Sequence, residues 1–342
     1  MVGQKHLSAF LALVHQSRRA MGIEELARTN RLTARSVYRW QAALANDLFF
    51  YPSVAYRSLG LSTVHLFIDD PAPVWRSFPY AIRAEWVLQR PGATTLYLHC
   101  LVPRVHEEEV MRVLHAAEGA TAARVTTIAS ADGWQVLQDF GPSELPVDGD
   151  VQVWDIVERL PLLIPVIFET AEQGHSLPTI WDSIYARLGK RTWEYLPRFA
   201  KRLPTNGKAY VKECFALLNH TGLFRQNIIR YRAINAIGTP MYLHVDASLG
   251  AIINAFNAPA IDVYPTGEES ALLRVVSTHA LTKLVFSTTS DLPRITTWYF
   301  VDTLRTDRDP VRPRFAYEHL FDPATTEWIF PAELLTQFRG DA

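Results

Sequence analysis

The sequence predicts an α+β protein in which a helix-turn-helix domain precedes a β-α-β-β-α-β domain, and in which this pair of domains occurs twice. Three observations indicate it: a short amphipathic helix pair near the N-terminus, a strand-turn-strand segment that recurs about 175 residues later, and a similar order of elements after each copy. The 342 residues are enough for several domains of about 100–150 residues.

Residues 33–44 predict the second helix of a helix-turn-helix. Val37, Trp40 and Leu44 are spaced i, i+3, i+7, as residues on the buried side of an amphipathic helix are. Thr33 is a suitable N-cap, because its hydroxyl can accept a backbone N–H that has no partner within the helix.

The first helix of the pair is predicted for residues 22–28, with a turn at residues 30–32. A short apolar helix, a turn and a basic helix are the layout that enters a DNA major groove. A small surface helix pair with ordinary charges is the alternative. The residues predicted to bind nucleic acid here are Arg28, Arg31, Thr33, Arg35, Ser36, Tyr38 and Arg39.

A duplication is predicted from the spacing of matching residues. The pairs Tyr56-Arg57 and Tyr231-Arg232 are 175 residues apart, and each leads through a glycine, Gly60 or Gly238, into a strand. Solenoid repeats are much shorter than this. A tandem duplication of a two-part unit therefore explains the spacing, with chance similarity of two strand-turn-strand pieces as the alternative.

The segments after each glycine turn predict a β-α-β-β-α-β order, which is that of a ferredoxin-like domain. In the first copy, strands are predicted at 64–69, 85–89, 94–102 and 123–128, with a short helix or loop at 71–81 and a helix at 105–117. In the second copy, strands are predicted at 241–245, 260–264, 272–277 and 295–301, with helices at 249–257 and 280–286.

A second helix-turn-helix-like region is predicted between the two ferredoxin-like domains, with helices at 161–172, 178–188 and 208–218. Residues 190–202 are predicted as its recognition helix. Pro197 removes a helix hydrogen bond, so this helix is expected to be kinked or split at Leu196 and to bind phosphates by charge. The predicted nucleic-acid-binding residues are Lys190, Arg191, Thr192, Tyr195, Arg198, Lys201 and Arg202.

The domain boundaries follow from these elements. We expect a helix-turn-helix domain at 1–50, a ferredoxin-like domain at 51–130, a linker at 131–158, a second helix-turn-helix-like domain at 159–223, a second ferredoxin-like domain at 224–303, and an irregular proline-containing tail at 304–342.

Composition limits the class of protein. With 48% hydrophobic and 20% charged residues, the chain is globular, and no apolar run approaches the roughly 20 residues that span a bilayer. Two cysteines, Cys100 and Cys214, are expected to be buried thiols, and a cytoplasmic location without a secretion signal is expected. The net charge is −1, but residues 18–44 carry +4 and residues 176–212 carry +6, so that positive charge is gathered in two patches on an otherwise acidic chain.

A helix-turn-helix followed by a glycine-turned strand and a β-α-β-β-α-β domain resembles the leucine-responsive/AsnC-type (feast/famine) transcription regulators, over about residues 7–301. The doubled unit resembles archaeal proteins with two such units in one chain. The resemblance implies DNA contact through Arg35, Ser36, Tyr38 and Arg39, paired ferredoxin-like domains, a homodimer and an amino-acid effector. The two ferredoxin-like units could pair within the chain, as an internal pseudo-dimer, or between chains.

The function expected is therefore that of a DNA-binding transcription regulator and not an enzyme, with double-stranded DNA as partner and no cofactor. An RNA- or ribosome-binding dimeric factor is the alternative, followed by a small-metabolite sensor or a siroheme-decarboxylase-like enzyme of the same fold class. The histidines lack the close spacing of metal ligands, so no metal site is expected. His65 and His99 alternate with apolar residues, which predicts a buried or interface position.

Overall fold

The structure is a computed structural model, and it divides into two compact units, each built from two stretches of the chain: residues 1–58 with 144–233, and residues 59–143 with 234–342. The residues it describes are 24, 27–28, 31–44, 48–54, 56–89, 94–121, 124–130, 135–138, 141–142, 153–171, 177–197, 200, 207–221, 223–231, 239–246, 261–267, 269–277 and 294–338.

The protein is a mixed helix and antiparallel-sheet structure. In chain order, the first half contains α1 (Ala34–Leu44), β1 (Leu48–Val54), a 3-10 helix (Tyr56–Leu59), β2 (Leu61–Asp69), a 3-10 helix (Pro73–Ser77), β3 (Ala81–Leu88), β4 (Thr95–Pro103), a 3-10 turn (Arg104–His106), α2 (Glu107–Thr121), β5 (Arg124–Ser130), β6 (Gln135–Gln138) and β7 (Gly141–Pro142).

The second half repeats much of this order. Its elements are α3 (Val153–Arg159), α4 (Leu163–Ala171), α5 (Leu177–Leu188), a 3-10 helix (Gly189–Tyr195), α6 (Lys208–His220), β8 (Phe224–Tyr231), β9 (Thr239–Asp246), β10 (Ile261–Gly267), β11 (Ser270–Ser277), β12 (Arg294–Val301), α7 (Thr303–Arg308), α8 (Tyr317–Leu320), β13 (Phe321–Asp322), β14 (Glu327–Trp328), α9 (Ala332–Leu335) and a 3-10 helix (Thr336–Phe338).

The predicted strands of both copies are confirmed to within a few residues. The predicted helices at 249–257 and 280–286 lie outside the described residues.

The first unit holds α1 and α3 to α6 together with a two-stranded antiparallel ribbon. In this ribbon β1 pairs with β8, so that Leu48 lies opposite Tyr231 and Val54 opposite Phe224. Helices α4, α5 and α6 pack on one another, with Ile167 and Ile184 among their fully buried side chains. The two strands that follow the predicted helix-turn-helix segments thus pair with each other.

The second unit contains a ten-stranded antiparallel sheet in the order β5-β2-β4-β3-β12-β9-β11-β10-β6-β7. Numbered within each copy, the first four strands follow the order 4-1-3-2, and so do the next four. The two sets join through β3 and β12, where Val87 pairs with Val301 and Leu88 with Phe300. Strand β10 also lies against β5, so the eight strands curve round a shared interior.

Side chains from both copies fill this interior. The large buried residues that touch across it are Phe67, Val87, Tyr97, Tyr242, Tyr264, Leu272, Tyr299 and Val301. The rings of Phe67 and Tyr299 stack at 4.3 Å between centroids, and those of Tyr97 and Tyr242 lie 4.1 Å apart. The two four-stranded sets therefore pair within one chain, which is the first of the two arrangements considered from the sequence.

The prediction of an irregular tail at 304–342 is wrong for residues 304–338. This segment forms three short α-helices, a 3-10 helix and a small hairpin, and its buried hydrophobic side chains are Phe315, Tyr317, Leu320, Phe321, Trp328, Leu335 and Phe338. The Trp328 indole N–H donates to the Leu59 carbonyl at 2.7 Å, and the Phe338 ring packs 5.1 Å from Trp75. Prolines shorten these elements, but the aromatic residues between them bury enough apolar surface to order the segment.

The linker predicted for 131–158 is also partly wrong. Residues Gln135–Gln138 form a strand between β10 and β7, in which Val136 pairs with Asp262 and Leu137 with Ile261 of β10, and Val153–Arg159 form a helix. The short length of these elements explains why the sequence pattern alone did not show them.

Both cysteines are buried free thiols, as expected. None of the helices in the described part of the chain is long and apolar enough to cross a membrane.

Candidate functional site

The predicted turn between the two N-terminal helices has a specific backbone geometry. Ala27 and Arg28 are helical, and Arg31 adopts a left-handed conformation with φ 54°. The Arg31 N–H donates to the Arg28 carbonyl at 3.2 Å, and the Leu32 N–H donates to the Ala27 carbonyl at 2.8 Å. This pair of bonds is the Schellman motif, which ends a helix and turns the chain away from its axis.

Helix α1 then begins at the residue predicted to cap it. The Thr33 side-chain oxygen accepts the Ser36 N–H at 3.2 Å, and the Thr33 carbonyl accepts the N–H groups of Ser36 and Val37. Val37 is fully buried, which confirms the inward side of the helix, while Ala27 is buried on the preceding helix. A capped helix start and a packed inner side hold the outer side in one orientation.

The outer side of α1 carries the predicted contact residues. Arg35 and Arg39 are exposed, Tyr38 is 49% exposed, and Ser36 is partly exposed. Arg28, Arg31 and Thr33 are exposed as well. Within the described part of the chain, no carboxylate forms an ion pair with Arg35 or Arg39. The exposure of both side chains places their guanidinium groups where an external anion can reach them.

Of the recognition helix predicted at 190–202, residues 190–195 are helical and the break predicted at Leu196 is present, but these residues form a 3-10 helix and not a separate recognition helix. Residues Gly189–Tyr195 form a 3-10 helix that continues from α5 and stops at Leu196, whose backbone is extended at φ −78° and ψ 159°. An extended residue is what the ring of Pro197 requires before it. Thr192 and Tyr195 are buried, so neither side chain is presented to a partner.

The charged residues of that segment also differ from the expectation. Lys190 and Arg191 are exposed, but Arg191 pairs with Glu194 at 3.3 Å. The remaining predicted residues, Arg198, Lys201 and Arg202, lie outside the described residues.

Helix α6 occupies the position in the second copy that α1 occupies in the first. Each helix ends four residues before its strand of the β1–β8 ribbon. The apolar positions also match, 174 residues apart: Val37, Trp40 and Leu44 correspond to Val211, Cys214 and Leu218. The 175-residue spacing of the Tyr-Arg pairs already contained this signal, which the sequence interpretation applied to the strands but not to the helices before them.

A buried polar cluster that the sequence interpretation missed lies in the shared interior of the sheet. Arg274 on β11 donates to both oxygens of Glu85 on β3, with the Arg274 Nη2 2.8 Å from Glu85 Oε1, and the Tyr242 hydroxyl donates to Glu85 Oε2. Burial alone would raise the pKa of Glu85, but the charges of Arg274 and Arg83 and these hydrogen bonds lower it to about 2. Glu85 is thus a carboxylate that joins the two copies.

His65 lies in the same interior and is fully buried. Its Nδ1 is 2.9 Å from the Tyr97 hydroxyl, and its ring packs against Tyr264 at 4.3 Å and His99 at 4.9 Å between centroids. Burial, together with the charge of Arg83, lowers the pKa of His65 to about 3, so the ring is neutral. The buried positions of His65 and His99 were predicted from their alternation with apolar residues.

Among the described residues, no group of three or more His, Cys, Asp or Glu side chains converges as metal ligands do. Of the interior polar groups, Glu85 bonds across the two four-stranded sets to Arg274 and Tyr242, whereas His65 contacts Tyr97 within the first set. These contacts hold the sheet together inside the protein. The exposed side of α1 is therefore the candidate site for an external partner.

Comparison with family models, with curated proteins and with solved structures found no significant match to this chain.

Proposed function

We propose that the chain is a transcription regulator that binds double-stranded DNA by inserting helix α1 into the major groove. The observation that carries this proposal is the outer side of α1, where Arg35, Tyr38 and Arg39 are exposed on a helix that is capped by Thr33 and anchored by Val37. A rigid helix with outward arginines after a short turn is the arrangement by which helix-turn-helix proteins contact DNA.

The chemistry of these side chains suits a duplex. Arginine carries a planar, permanently charged group that can bond two phosphate oxygens or the O6 and N7 acceptors of guanine. Phosphate contacts hold the helix in register, and base contacts select the sequence. In this proposal Arg35 and Arg39 supply both kinds of contact, and Tyr38 contributes a hydroxyl and an apolar ring between them.

We further propose that the second unit consists of two ferredoxin-like domains and that the chain is a tandem version of the leucine-responsive/AsnC-type regulators. The 4-1-3-2 strand order in each copy supports the first part, since a β-α-β-β-α-β chain forms an antiparallel sheet in this order. The pairing of both copies within one chain supports an internal pseudo-dimer. Dimerisation of whole chains and an amino-acid effector remain predictions from the resemblance.

The test is to replace both arginines by alanine. Arg35→Ala with Arg39→Ala should abolish sequence-specific binding, with about tenfold or more loss for each guanine contact. Full-length protein would first be used to select a duplex from a random pool, and affinities would then be measured by gel shift at fixed salt, because phosphate contacts depend steeply on ionic strength.

The matched control is Arg312→Ala with Arg314→Ala, which removes two exposed arginines from the second unit. It should leave specific binding unchanged, and circular dichroism should show both double variants folded. Wild-type affinity in the α1 variant would refute the proposal. Preference for single-stranded or duplex RNA over DNA in competition would favour the RNA-binding alternative instead.

A further inference from the structure

Helices α1 and α6 are placed alike with respect to the β1–β8 ribbon. Because the strands are antiparallel, with Leu48 opposite Tyr231 and Val54 opposite Phe224, the two helices lead into the ribbon from opposite ends. Helices in such a twofold-like relation would read an inverted repeat if both carried the same outward side chains. Their outward side chains are different.

The difference is clear when the helices are aligned on their buried valines, Val37 and Val211. Over residues 34–39 of α1, where side-chain burial is described, three positions are exposed in both helices. They hold Arg35, Tyr38 and Arg39 in α1, and Ala209, Lys212 and Glu213 in α6. Two arginines of α1 are thus matched by an alanine and a glutamate. An alanine cannot reach a guanine edge, and a carboxylate is repelled by phosphates.

The N-terminal residues of the two helices also differ in a way that favours base contact by α1 and not by α6. Thr33 caps α1 and is exposed, whereas the corresponding Gly207 of α6 is buried and has no side chain to cap the helix. A Cβ at Gly207 would overlap the indole of Trp181, so the protein itself covers this position. The N-terminal residues of a recognition helix are those that contact base edges, and in α6 this end is partly closed off.

We infer that one chain reads only one half-site: α1 selects bases, while α6 rests on the phosphate backbone through Lys212 without selecting sequence. The target of one chain is then an asymmetric duplex. The half of the site that contacts α1 has a defined base sequence, and the half that contacts α6 can have any base sequence. This inference rests on the proposed function, because it assumes that α1 enters a major groove.

The first experiment selects duplexes from a random pool with the full-length protein and counts chains per duplex by mass photometry. One conserved half-site for each bound chain is expected, with hydroxyl-radical footprinting extending over a neighbouring unconserved segment. An inverted repeat bound by a single chain, with both halves conserved, would overturn the inference and leave the proposed function intact. A protein that binds no duplex DNA would refute the proposed function and this inference with it.

The second experiment compares Arg39→Ala with Lys212→Ala on the selected duplex and on single-base variants of it. Arg39→Ala should lose about tenfold or more in affinity and relax preference at one or two base pairs. Lys212→Ala should lower affinity for all duplexes alike, by about five- to tenfold at 0.1 M salt, and reduce the salt slope by about 1. A change of base preference in Lys212→Ala, or no loss of affinity, would overturn the role given to α6.

A gain of affinity provides an independent check. Glu213→Arg should bind every duplex more tightly than wild type, by at least about threefold, because it replaces a repelled carboxylate with a cation at the backbone. Glu158→Arg makes the same charge change at another exposed helix position and is the control. Equal effects of the two substitutions would show that α6 does not face the duplex and would contradict the inference.

Discussion

Mild acid is expected to destabilise the fold because His65 is buried in its neutral form. The substitution His65→Gln should remove this part of the pH dependence of stability. His65 is fully buried with its Nδ1 2.9 Å from the Tyr97 hydroxyl, and burial together with Arg83 lowers its pKa to about 3. In the unfolded chain the pKa of this histidine returns to about 6.5. The folded state therefore binds the proton much more weakly than the unfolded state does.

The sign and size of the effect follow from this difference. The contribution of neutral His65 to stability is fully present above pH about 6.5 and is lost as the pH falls towards 3. The reason is that in this range the unfolded state binds a proton at His65 and the folded state does not. Each pH unit in most of that range corresponds to about 1.36 kcal/mol, which gives a loss of about 2 kcal/mol at pH 5 and of about 4 kcal/mol at pH 3, where the folded state begins to bind the proton as well.

The assay is urea unfolding at pH 7.5 and pH 5.0 for wild type and His65→Gln, in which glutamine keeps a hydrogen-bonding group but does not titrate. The loss of unfolding free energy between the two pH values should be about 2 kcal/mol larger for wild type than for the variant. His115→Gln, at an exposed position on α2, should behave as wild type. Equal pH dependence in wild type and His65→Gln, or a His65 ring resonance that titrates near pH 6.5, would refute the reasoning.

Three further predictions concern stability. Arg274→Met should lower the free energy of unfolding by about 3–5 kcal/mol, since it leaves the Glu85 carboxylate buried without its main partner; adding Glu85→Gln should recover part of the loss in denaturant titrations, and no recovery would mean that the arginine acts by packing alone. Thr33→Ala should cost about 1 kcal/mol and speed hydrogen exchange at the Ser36 amide, whereas unchanged exchange would show that the cap is not formed. Arg31→Gly should raise the free energy of unfolding by about 0.5–1 kcal/mol, and with it the melting temperature, because glycine adopts the left-handed conformation without strain. A lower melting temperature would contradict this.

Sequence patterns predicted those elements well whose formation depends on interactions between residues close together in the chain. The cap at Thr33, the burial of Val37 on α1 and the buried position of His65 on β2 were predicted from residues near one another in the chain, and the structure has all three. The break at Leu196 was also predicted locally, because Pro197 disfavours a helical residue before it. Local patterns did not indicate that residues 189–195 form a 3-10 helix in which Thr192 and Tyr195 are buried.

Positive charge predicted the second recognition helix less well than the spacing of apolar residues does. The lysines and arginines around residue 190 favoured residues 190–202, although the 174-residue match of apolar positions identifies α6 as the counterpart of α1. Charge shows which residues can bind an anion, whereas burial decides which of them an anion can reach. Only the structure showed that Thr192 and Tyr195 are inside.

The sequence by itself predicted the helix and turn at residues 27–44 and the eight strands of the two similar segments in their order, because helix caps, turns and β-favouring runs depend on neighbouring residues. Tertiary structure alone decided which elements meet: Glu85 and Arg274 are 189 residues apart and yet form the buried ion pair between the two copies. It also decided that the C-terminal segment packs as an ordered element. Such contacts form because burial and charge pairing depend on distance in space, which no local pattern records.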